Sequence, residues 1–216
     1  MNANTAQRLH LTVVSAGLSV PSSTRLLADR LTEAVRGQLA DAGREVDVQV
    51  VELRDLAADI AGNLVTGFPS PTLEKAIETV TSADGLIAVT PVFSASYSGL
   101  FKSFFDVIDN DALTGKAVLA AATGGTARHS LALEHALRPL FAYLRAVVVP
   151  TAVYAASEDW GGNGDPLTDT LPHRIVRAGG ELAGLMRGRA DSAARTTTDD
   201  TAVVPFAQQL AALRPA

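Results

Sequence analysis

The stretch Pro91–Asp106, PVFSASYSGLFKSFFD, decides the fold. Just before it, Gly85 to Thr90 (GLIAVT) is a short, nearly continuous apolar run, the pattern of a strand buried on both faces of a parallel sheet. Pro91 stops that strand, because it has no N–H to donate and its φ is set by the ring. Ser94, Ser96 and Ser98 then form a hydroxyl-rich loop with approachable backbone amides. After Gly99, the spacing of Leu100, Phe101, Phe104, Phe105, Val107 and Ile108 predicts a helix with a wide apolar face. Strand, loop and helix make half of a βαβ unit, and ligands in such sheets bind at the carboxyl ends of the strands.

The same order recurs on either side. Leu9 to Val14 reads as a strand that opens into Ser15-Ala16-Gly17-Leu18-Ser19-Val20-Pro21-Ser22-Ser23-Thr24-Arg25. Ser22 to Thr24 supply candidate caps for a helix carrying Leu27, Leu31, Val35 and Leu39, which Gly43 stops. A hydroxyl-rich loop at a helix N-terminus favours anions, since free amides and the helix dipole both attract negative charge. The loop has neither the P-loop spacing nor G-x-G-x-x-G, so neither an NTPase nor a dinucleotide fold is indicated. Lys116 to Ala122 is another buried strand, leading into Thr123-Gly124-Gly125-Thr126-Ala127-Arg128-His129, where paired glycines let a ligand approach the backbone. Val46–Leu53 and Ala146–Tyr154 complete five strands, with Pro150 marking an edge position or a bulge in the last.

Composition narrows the function classes. At 216 residues, 47% hydrophobic and 19% charged, the chain suits one substantial globular core. A net charge of −5 argues against nucleic-acid or anionic-membrane partners. With no cysteine, disulfides, thiolate chemistry and iron–sulfur ligation are out. No metal site is expected, since His129 and His135 would point to different helix faces. No apolar run approaches the roughly 18 residues a membrane span needs. His10, Thr12 and Ser15 make the N-terminal segment a poor signal peptide, so a cytoplasmic location is expected.

The run P-V-F-S-A-S-Y-S-G-L-F-K-S-F-F-D resembles the second flavin-contacting loop of NAD(P)H-dependent FMN reductases, and S-A-G-L-S-V-P-S-S-T-R resembles their FMN-phosphate loop. The combination looks most like the actinobacterial branch of that family. The resemblance spans roughly Leu9 to Tyr154 and implies an α/β, flavodoxin-like, doubly wound five-stranded parallel sheet in the order 2-1-3-4-5. That order brings three ligand-type loops to the switch point between the first and third strands. It also implies bound FMN and NAD(P)H, with hydride passing from nicotinamide to the flavin, so no protein nucleophile or other catalytic side chain is required. The implied phosphate contacts are Ser15, Ser22 and Thr24, then Ser23 and Arg25. The second loop contributes Pro91, Val92, Phe93, Ser94, Tyr97 and Ser98, with Phe93 and Tyr97 packing near the ring. The third contributes Thr123, Gly124, Gly125 and Thr126 along the ring edge. For His129 two readings stay open: a contact to flavin or nicotinamide, or a polar residue in the first turn of the next helix. No motif identifies a 2′-phosphate-binding arginine, so the residues do not decide between NADH and NADPH; Arg128 and Arg145 are no more than candidates for that role.

Such reductases often supply reduced FMN to a separate luciferase-like, flavin-dependent monooxygenase, and the family commonly forms a homodimer or homotetramer. Two alternatives stay open: a reductase with tightly held FMN acting on quinones, azo dyes or chromate, which would use the same loops, and a flavodoxin-like electron carrier without NAD(P)H activity.

Several expectations concern the connections. Arg54–Asp59 begins a polar linker, and Gly62–Pro71 reads as a long loop in which Phe68 touches a substrate or a partner, or merely pins the surface. A helix bearing Leu133, Leu137, Phe141 and Leu144 should kink at Pro139. Ser157–Pro166 is a flexible loop holding Trp160, and Leu171–Met186 closes the fold as a helix. A domain of residues 1–188 is followed by a polar linker and short tail, 189–216, with an apolar stripe over Val203–Leu213.

Overall fold

The structure, a computed structural model, describes residues 8–161 and 170–196. Three long parallel strands form its centre: β1 (Leu9–Ser15), β3 (Gly85–Phe93) and β5 (Ala117–Gly124). β2 (Val46–Glu52) pairs with the outer side of β1, and every one of these pairings is parallel. Gly85–Thr90 of β3 and Ala117–Thr123 of β5 are all buried, as continuous apolar runs require when helices cover both faces.

One face is covered by α1 (Ser23–Asp41) and α6 (Leu171–Thr196), through Leu27, Leu31, Val35, Leu39, Leu182 and Met186. The other carries α3 (Pro71–Ser82), α4 (Gly99–Asp106) and α5 (Arg138–Tyr143). At its heart Phe105 meets Phe101 at 4.8 Å and Phe141 edge-on at 5.1 Å. Such aromatic pairs add about 0.5–1.5 kcal/mol beyond their buried area.

The strand order β2-β1-β3-β5-β6 is the flavodoxin-like one, but among the described residues the sheet has seven strands rather than five. The predicted fifth strand is two pieces, β6 (Val147–Val148) and β7 (Val153–Ala156), which both pair with β5. Pro150 lacks the N–H that would carry the ladder across. Side chains hold the gap instead: the Arg138 guanidinium donates to the carbonyls of Val149 and Pro150, and Glu181 accepts from the Thr151 amide at 2.7 Å. The remaining strand, β4 (Ser96–Tyr97), folds back on β3 as a hairpin through Ser94 and Ala95, both with positive φ (50° and 66°). Positive φ at both turn residues is the type I′ hairpin geometry, here adopted without glycine.

Other connections also depart from expectation. Arg54–Asp59 and much of Gly62–Pro71 are helical: a short 3₁₀ turn at Leu53–Leu56 runs into α2 (Ala57–Thr66). Ile60 is the one buried residue of α2, so the segment lacks an apolar stripe. Its end at Gly67 (φ 78°) is an ordinary left-handed cap, and Phe68 beyond it is 80% exposed. The stretch Leu133–Leu137 is a π-helical turn that runs straight into α5, so Pro139 comes just after a widened turn, which is where the helix departs from regular α geometry. α6 continues past Gly188 to Thr196, where the sequence predicts a linker. The stripe Val203–Leu213 lies outside the described residues, as does most of the loop after Trp160. Among the described residues no helix is long and apolar enough to cross a membrane.

Candidate functional site

The carboxyl ends of β1, β3 and β5 meet at a cleft of about 350 Å³. The loop after β1 and the start of α1 contribute Ser22, Ser23 and Thr24; the end of β3 contributes Pro91, Val92 and Phe93; β5 and its loop contribute Thr123, Gly124 and Gly125. Nine of the residues expected from sequence thus line one cavity. Two of the three loops are tied together inside it, for the buried hydroxyls of Thr24 and Thr123 hydrogen-bond at 2.8 Å.

The β1 loop is built around the first turn of α1. Ser22 is the N-cap, with extended backbone and a side chain that accepts from the Arg25 amide at 3.2 Å. The amides of Ser23 and Thr24 have no intrahelical partner and remain for an anion. Gly17 lets the loop wrap closely, since a Cβ there would stand 2.1 Å from Ser22 Oγ. At the end of β1, Ser15 is fully buried with a hydroxyl that finds no partner. A buried, unmatched hydroxyl costs about 1–3 kcal/mol, and Ser15 itself lies behind the cleft rather than among its lining residues. A phosphate group therefore suits this pocket by hydrogen-bonding chemistry and by the dipole of a 19-residue helix.

The β5 loop rests on β7. Tyr154 Oη donates to the Thr126 carbonyl at 2.8 Å and lies under Gly124, where a Cβ would be 2.0 Å from that oxygen. Burial, then the charges of Glu158 and Asp159, push the Tyr154 phenol above its ordinary pKa, so it stays a neutral donor. A Cβ on Gly125 would meet nothing within 4 Å, which leaves open space beside the backbone. Phe93 (48% exposed) and Leu18 (52% exposed) give the cleft apolar walls still open to solvent.

Other expected residues lie elsewhere. Ser94 sits at the exposed hairpin tip. Ser98 is buried behind it, its amide donating to Thr90 Oγ1 at 3.0 Å and its hydroxyl capping α4 by accepting from Phe101 N. Tyr97 stacks near Phe101 at 6.0 Å and lines a different cavity, which it shares with His135 and Tyr143. Arg25 is held by Asp29 and Glu52, both at 2.7 Å, and these hydrogen bonds raise its pKa. Thr126 caps a 3₁₀ turn, Ala127–His129, with His129 exposed at its end.

Sequence reasoning did not select three other lining residues, Leu18, Ser19 and Ser157. Ser157 begins the 3₁₀ turn after β7, where Arg174 donates to Asp159 at 2.8 Å and Arg30 lies over the Trp160 ring at 4.9 Å. The signal for Ser157 is its place at the carboxyl end of a strand, the rule that found the other loops.

Comparisons with known proteins bear on the family and the fold. Residues 9–161 match the family model described as NADPH-dependent FMN reductase. The chain is 38% identical over 180 residues to the FMN reductase (NADPH) of Pseudomonas aeruginosa, covering 82% of this chain and 92% of that protein. It is also 38% identical over 150 residues to the NADH-dependent FMN reductase SfnF of Pseudomonas putida, covering 69% and 78%. Among solved structures, an oxidoreductase from Corynebacterium diphtheriae superposes with a TM-score of 0.79 at 49% identity, covering 84% of this chain and 98% of that one.

Proposed function

This chain belongs to the NADPH-dependent FMN reductase family, and from that premise we propose how its cleft serves the reaction. The protein is an NAD(P)H:FMN oxidoreductase. When bound, FMN supplies the ring that accepts hydride from the nicotinamide. The 5′-phosphate is held by the Ser23 and Thr24 amides and the Ser22 hydroxyl, with Ser15 beneath. The walls at Pro91–Phe93 and Thr123–Gly125 orient the ring and shield one side of it from water. Gly125, with no side chain, leaves room for the ring edge. The opposite side stays open past Phe93 and Leu18 for the nicotinamide.

The observation that carries this reading is the convergence of three separate loops on one cleft, fastened by the Thr24–Thr123 hydrogen bond. Because the cleft is open, flavin acts as a substrate that leaves reduced, to be used by a flavin-dependent monooxygenase in the cytoplasm. A second copy of the chain packs on the face where Leu131 (61% exposed) and Tyr143 (69% exposed) stand out, giving a homodimer or homotetramer.

The test is oxidation of NADPH and NADH by the purified protein, with and without added FMN. A colourless protein whose activity appears on adding FMN supports flavin as substrate. A yellow protein that turns over only with a quinone or azo dye refutes it.

A further inference from the structure

Relatives at the same 38% identity are named for NADPH in one case and NADH in another, so family membership does not decide the nucleotide. The two nucleotides differ by a 2′-phosphate, which calls for a cation, and the planar fork of arginine suits phosphate best. Three cationic or titratable side chains lie close to the cleft in sequence: Arg25, Arg128 and His129. The Arg25 guanidinium is occupied by Asp29 and Glu52. Arg145, the other candidate from sequence, pairs with Asp111 at 2.7 Å and stands at the amino end of β5, where Gly115 donates to its carbonyl. That end is opposite the cleft.

Arg128 differs from both. It sits in the 3₁₀ turn that Thr126 caps, directly beyond the cleft-lining Gly125, and it is exposed. Its backbone amide leans on Thr126 Oγ1 at 3.4 Å, while its guanidinium enters no ion pair among the described residues. The turn is held from below by Tyr154 through the Thr126 carbonyl, so the side chain is presented from an anchored base. Among the described residues no carboxylate lines the cleft to oppose a phosphate there.

We infer that Arg128 determines nucleotide specificity by binding the 2′-phosphate, and that the enzyme prefers NADPH. The inference rests on the NAD(P)H:FMN oxidoreductase reading above. It is tested by steady-state kinetics with both nucleotides at saturating FMN, for the wild type and Arg128→Gln. The wild type should favour NADPH. The variant should lose about tenfold or more in kcat/KM for NADPH through KM, with kcat and both NADH parameters little changed. Calorimetric titration of FMN-loaded protein should show the same selective loss for NADP⁺ over NAD⁺, and Arg128→Lys should restore part of it. An unchanged NADPH KM, an equal loss for both nucleotides, or a wild type that favours NADH would overturn it. Turnover with neither nucleotide would instead sink the oxidoreductase reading along with it.

Discussion

Replacing Gly124 by alanine tests whether β7 sets the position of the β5 loop. The added Cβ would stand 2.0 Å from Tyr154 Oη and 3.0 Å from Cζ, so the phenol ring must move. Gly124 has no positive φ, and the effect is therefore steric rather than a backbone conflict. Moving the ring breaks the 2.8 Å bond to Thr126 O, worth about 0.5–1.5 kcal/mol net. Overpacking a filled site adds about 1–3 kcal/mol. The sum, about 2–4 kcal/mol, corresponds to a fall in Tm of roughly 5–15 °C for a domain of this size. Because the displaced loop lines the cleft, FMN affinity should drop as well, by about tenfold if 1.4 kcal/mol of the cost falls on the site. Thermal unfolding by circular dichroism and FMN fluorescence titration read the two effects. Tyr154→Phe in the same chain removes the nearest atom, so the double variant should recover about 1 kcal/mol or more relative to additivity. A Gly124→Ala protein within about 0.5 kcal/mol of wild type, or a strictly additive cycle, would refute the argument.

Gly125→Ala is the matched control: with nothing within 4 Å of the new methyl, stability should hold while FMN affinity falls, and unchanged affinity would move the ring away from this backbone. Thr24→Val strands the buried Thr123 hydroxyl and should cost about 1–3 kcal/mol in denaturant unfolding, whereas Thr24→Val with Thr123→Val should recover most of it. Lys116 is buried, donates to the Thr81 and Ala83 carbonyls, and has a pKa lowered by burial and then by Arg189. Below its ordinary 10.5 the unfolded chain thus holds this proton more firmly than the folded one, so the group's contribution is present above that pH and lost as pH falls through the lowered value. Lys116→Met should flatten that alkaline rise in stability, and an identical pH profile would contradict the assignment.

The parts of the fold that were legible share one property: their signal is local and strong. β3 and β5 are continuous apolar runs because helices cover both faces, and α1 carries both its cap and its stripe in its own residues. α2 was not legible, since its packing rests on Ile60 alone and Gly62 argues for a loop. The break between β6 and β7 was half legible. Pro150 marked it, but Arg138 and Glu181, which hold its backbone groups, come from distant positions. Within the site, Ser98 and Tyr97 belong to a flavin-like motif, yet the Ser94–Ala95 hairpin turns them toward α4 and a neighbouring cavity.

Sequence alone determined the strand–loop–helix units, a helix cap somewhere in Ser22–Thr24 and the family, because buried apolar runs, caps and glycine pairs act over a few residues. Tertiary structure alone decided which loop residues share a cleft, that Tyr154 supports Gly124 and Thr126, and that Arg128 rather than Arg25 keeps its guanidinium out of ion pairs among the described residues. Those facts depend on contacts between segments tens of residues apart, and no local pattern records where two such segments meet.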